Sequence, residues 1–62
     1  MNRLHIAQQE VARLEAVVLR RSAKFNNYEG EEVNYSSRLR GRVIRAKQLL
    51  SDAEARLAKL SQ

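Results

Sequence analysis

The chain has 62 residues, a formal net charge of +5, one histidine and no cysteine. That length is one domain at most, and the missing thiols exclude a disulfide or a thiolate metal site. No apolar run approaches the roughly 20 residues that span a bilayer. Gln8, Gln9, Glu10 and Arg13 interrupt the place where a signal-peptide core would lie, so a soluble protein without a cleaved leader is expected.

The first helix is predicted from about Asn2 to about Ala23. Leu4, Ala7, Val11, Leu14 and Val18 recur at spacings of 3 and 4, which keeps one narrow stripe turned towards a partner helix. Asn2 suits the N-cap, because its side chain can accept from an orphan N–H. Arg20, Arg21 and Lys24 gather at the C-terminal end, where they complement the helix dipole. Val17 and Leu19 widen the apolar stripe.

Residues 24–35 lack this period and are predicted as a tip. Asn26-Asn27 and Glu29-Gly30 are turn chemistry, with Gly30 free to take a positive φ. Two readings stand. One is an irregular loop. The other is a small β-hairpin of Lys24–Tyr28 and Glu32–Ser36 around Glu29-Gly30-Glu31, which puts Phe25, Val33 and Tyr35 on one face and Tyr28 on the other. Phe25, Tyr28, Val33 and Tyr35 are the candidate tip interface.

The second helix is predicted over about residues 36–60, with Ser36 or Ser37 as its cap. Leu39, Val43, Ala46, Leu50, Ala53, Leu57 and Leu60 repeat the 3/4 spacing. Gly41 is out of place, since an interior glycine costs about 1 kcal/mol against alanine. A kink, a late helix start or the close approach of another chain would each account for it. The expected fold is mainly α, an antiparallel two-helix hairpin over residues 1–62 with a short loop or small β-hairpin at its tip. Leu4, Val11, Leu14, Val18, Val43, Leu50, Leu57 and Leu60 line the seam.

A core this small is marginal, because a chain of about 60 residues buries only about 60% of its unfolded surface. Small domains add a disulfide, a metal or a partner chain. With no cysteine and a single histidine, a zinc site is not expected, so the remaining staple is self-association or a partner protein.

Charge is uneven. Residues 1–32 carry five basic and five acidic side chains, whereas residues 33–62 carry seven basic and two acidic. Arg38, Arg40, Arg42 and Arg45 crowd the start of the second helix, the end whose dipole is already positive. Arg38, Arg42 and Arg45 follow helical spacing and form one stripe. In a hairpin, Arg20, Arg21 and Lys24 come near the same end. The compensating charge is either Glu29, Glu31 and Glu32 of the tip or an anionic partner, DNA or an acidic protein.

Catalysis finds no support. There is no glycine-rich phosphate loop, no HExxH and no nucleophile with an identifiable base. His5 stands alone, and Glu31 and Glu32 are merely adjacent. No catalytic residue, cofactor, metal or small-molecule substrate is expected, and the basic helix lacks the aromatic wedge of a membrane-surface helix.

The segment Gly30-Glu31-Glu32-Val33-Asn34-Tyr35-Ser36-Ser37 resembles the W-type head–tail joining (head completion) proteins of tailed bacteriophages. In that family a Gly-x-x-Val-x-Tyr/Phe-Thr/Ser strand leads into a helix with Leu or Ile at heptad spacing. The resemblance implies a small α+β subunit in a ring beneath the portal, in the virion, with the arginines of the second helix near DNA or neighbouring subunits. The first hairpin strand here has Asn26-Asn27 in place of β-branched alternation, and the basic tail of that family is absent from this sequence.

Two readings need no family. One is a helical hairpin that dimerises into a four-helix bundle and binds nucleic acid, in the manner of small plasmid RNA-binding regulators. The other is a small phage or plasmid inhibitor that docks on a host protein through its tip. Either would be cytoplasmic.

Overall fold

The computed structural model describes residues 2–62. Two helices, α1 (Arg3–Asn26) and α2 (Val33–Leu60), pack against each other as an antiparallel hairpin, and the described residues contain no strand. The Cα trace is a rod of 47 × 14 × 14 Å.

The hairpin closes along the heptad stripes. Ala7, Val11 and Leu14 of α1 and Leu39, Val43, Ala46 and Ala53 of α2 are buried. Val11, Leu14 and Ala53 form the central cluster, with Leu50 and Leu57 packed against it. Leu4 and Val18 are half-buried at either end of the α1 stripe. Three of the seven buried residues are alanines, and small side chains at a seam allow helix backbones to approach closely. That closeness has a cost: each alanine contributes far less than the 1.5–3 kcal/mol, roughly, of a buried Leu or Val. Ala46 is 0% exposed, yet among the described residues no large side chain is fully enclosed. Leu60, expected in the seam, is 43% exposed.

The tip is shorter than the sequence suggests. Both helices invade the predicted 24–35 segment and leave only residues 27–32 outside regular structure. α1 continues through Lys24-Phe25-Asn26 because Phe25, seven residues after Val18, still falls on the packed face, where it is half-buried. The helix closes when the Asn27 N–H bonds the Ala23 carbonyl at 2.9 Å.

α2 starts at Val33, and Glu32, not Ser36 or Ser37, is its N-cap. The Glu32 side chain makes no capping hydrogen bond, but the Ser36 N–H already bonds the Glu32 carbonyl at 3.1 Å. Glu29, Glu31 and Glu32 precede this terminus, where negative charge complements the dipole. Neither strand of the alternative β-hairpin forms. Lys24–Asn26 and Val33–Ser36 satisfy their backbone within helices, which an isolated two-stranded ribbon would do poorly.

At the other end of α1, Asn2 caps the helix as its chemistry suggests, with Oδ1 accepting from the Leu4 N–H at 2.9 Å. α2 runs unbroken through Gly41, and a side chain there would meet nothing within 4 Å. A late helix start is thereby excluded, and among the described residues no backbone beyond its own helix approaches the glycine.

Candidate interaction surface

The seam of each helix leaves two flanks, and two sets of contacts say which flanks lie side by side. On one flank Glu10 and Arg56 meet, with Nη2 donating to Oε1 at 2.6 Å. On the other, Ser22, Phe25 and Asn26 of α1 face Arg40, Val43, Ile44 and Lys47 of α2 across an open groove of about 270 Å³. Positions along a helix turn by about 100° each, so these contacts assign the remaining side chains to a flank.

Arg38, Arg42 and Arg45 lie within about 60° of one another on α2, on the Glu10–Arg56 side. All three are exposed. Arg40 does not join them: it borders the groove on the opposite flank, with Lys47. The sequence grouping of four arginines therefore divides in two. Exposed Arg20 and Lys24 turn towards the same side as Arg38, and Arg21 is half-buried beside the seam.

Glu29, Glu31 and Glu32 make no ion pair with these arginines. All three are exposed, and among the described residues the only ion pair is Glu10–Arg56. Arg38, Arg42 and Arg45 are exposed, with no ion-pair partner among the described residues.

The aromatic residues take other roles. Tyr28 and Tyr35 pack edge to face with ring centroids 5.0 Å apart and planes at 63°, a favoured aromatic geometry. Tyr28 also lies over Gly30, where a β-carbon would collide with its ring. Gly30 has no positive φ, so it serves by leaving room for Tyr28 and not by its handedness. Phe25 lines the groove. Val33, grouped in the sequence with Phe25 and Tyr35, is 74% exposed and supports no tip packing.

The groove itself escaped sequence reasoning. Its apolar floor of Phe25, Val43 and Ile44 under Arg40 and Lys47 needed α1 to continue past Ala23. The signal was the heptad position of Phe25.

Among the described residues no cluster of His, Asp or Glu could hold a metal, and no helix is long and apolar enough to cross a membrane. Comparison with protein families, curated proteins and solved structures gives no match. The residues Gly30–Ser37, on which the likeness to head–tail joining proteins rests, form the end of the loop and the first turns of α2 in place of the implied strand.

Proposed function

We propose that this chain is a non-enzymatic assembly element, a helical hairpin that completes its core against further copies or a partner protein and carries its arginines towards an anionic neighbour. One observation carries the reading: no large side chain is fully enclosed, while Leu19, Ile44 and Leu49 remain on the surface. A core of this size normally needs a staple. Neither thiols nor a metal cluster supply one among the described residues, which leaves association.

Two settings fit. A ring subunit beside packaged DNA is what the head–tail joining likeness implies. A dimer closing into a four-helix bundle is favoured by the straight two-helix rod and by the helical start of α2 where that likeness called for a strand. Sedimentation equilibrium tests the reading. A discrete oligomer supports it, with two copies favouring the bundle and a higher closed number the ring. A well-folded monomer at micromolar concentration overturns self-association. Ile44→Glu should shift any oligomer towards monomer.

A further inference from the structure

The basic side chains are not spread around the rod. On α1, Arg13, Arg20 and Lys24 fall within about 40° of one another on the helical wheel. On α2, Arg38, Arg42, Arg45 and Arg56 fall within about 60°. The Glu10–Arg56 bond puts both sets on the same side of the hairpin, the α1 set lying about 40–80° past Glu10 towards the outer back of that helix. The opposite flank holds Arg40 and Lys47, balanced by Glu15 and Glu54, so it is nearly neutral. The excess of +5 thus lies mainly along one edge, where Asp52, exposed on the same stripe between Arg45 and Arg56, and Glu10 are the acidic residues. On α2 the row from Arg38 to Arg56 runs about 27 Å at 1.5 Å per residue.

We infer that this edge is a binding track for the phosphate backbone of duplex DNA, the anionic neighbour that the assembly reading leaves open. The cations stand in two rows, one on each helix; packed helix axes lie roughly 8–10 Å apart, and side chains splayed away from the seam set the two rows wider than that. Such rows suit the phosphate ridges that border a B-DNA major groove about 12 Å wide. An A-form duplex offers a deep, narrow major groove instead. A single strand would call for exposed rings on which bases stack. None stands on this edge: Tyr28 and Tyr35 pack on each other at the tip, and Phe25 lines the far groove. Side chains that reach phosphates without reading base edges position a protein on DNA and carry little sequence preference.

Two double variants remove equal charge from opposite flanks. Arg38→Gln with Arg45→Gln strips the track, and Arg40→Gln with Lys47→Gln strips the neutral flank. Binding of each to a 20-base-pair duplex is followed by fluorescence anisotropy from 50 to 200 mM salt, with helicity and oligomer mass measured alongside. Each neutralised phosphate contributes about 0.9 to the slope of log affinity against log salt. The track variant should therefore lose about 1.8 of slope, so that its affinity falls roughly tenfold less than wild type across that salt range. The neutral-flank variant should keep the wild-type slope. Equal losses from both variants would overturn the track, as would no binding by wild type at 50 mM. Equally tight binding of single-stranded DNA or duplex RNA of the same length would overturn the assignment to duplex DNA. An unchanged mass in the track variant, with weakened binding, separates the track from assembly. A monomeric wild type that still binds with the expected slope would sink the assembly reading alone.

Discussion

Arg56 reaches across the hairpin to Glu10, joining positions 46 apart in sequence through a 2.6 Å hydrogen bond. The pair is partly solvent-exposed, so its contribution to stability is small, at most about 1 kcal/mol. Its larger effect is electrostatic. Glu10 supplies the one negative partner that an arginine of this edge has within the described chain.

Glu10→Gln should therefore act in opposite directions on two quantities. Stability should fall by a few tenths of a kcal/mol, up to about 1. DNA affinity at low salt should rise, and the salt slope should steepen by about 1 as Arg56 becomes available to a phosphate. Thermal melting and the anisotropy titration check the two arms. A variant that binds DNA more weakly would contradict the assignment of Arg56 to the track.

Leu50→Asp sets a carboxylate against the Val11, Leu14 and Ala53 cluster. Burying an unpaired charge in so thin a core should cost about 3 kcal/mol or more and leave the chain largely unfolded. Circular dichroism reads this directly. Helicity and melting equal to wild type would mean that the seam does not hold the fold.

Gly41→Ala tests the interior glycine. A side chain there meets open space, so the substitution should stabilise α2 by about 1 kcal/mol. If another copy packs on this stretch, the same change should also weaken association, read as lower mass at equal concentration. A higher melting temperature with unchanged mass would show that no chain comes close at Gly41.

Gly30→Ala forces the Tyr28 ring aside and with it the contact to Tyr35. The near-ultraviolet tyrosine signal should diminish while far-ultraviolet helicity holds, at a cost of about 1 kcal/mol. Retention of the tyrosine signal would mean that the ring finds another way over the loop.

The hairpin was legible from residues such as Val11, Leu14, Val43 and Leu50, because two stripes of the same period on either side of a break dictate two helices that must cover each other. Its ends were not. Asn26-Asn27 and the serines at 36 and 37 carry turn and cap chemistry, and that local preference was overruled by tertiary packing at Phe25 and by glutamates placed ahead of α2. The arginine stripe could be read from spacing along α2. Its extension to Arg56 and its separation from Arg40 follow from the same spacing on α2, but its union with Arg13, Arg20 and Lys24 does not, since which edges of the helices adjoin depends on how the hairpin closes. Only the Glu10–Arg56 pair and the groove residues disclose that.

A rod with its charge on one long edge has a transverse electrical polarity, and this restricts the geometry of any assembly it enters. Two copies approaching with like edges together repel, most strongly at low salt, where the screening length exceeds 10 Å. Pairing must proceed through the neutral edge or the outer backs of the helices. A two-fold dimer made through the neutral edge carries its two charged edges on opposite sides, facing outward. If each edge takes a duplex as proposed, such a dimer would bridge separate DNA segments, a cross-linker whose action dissolves as salt is raised.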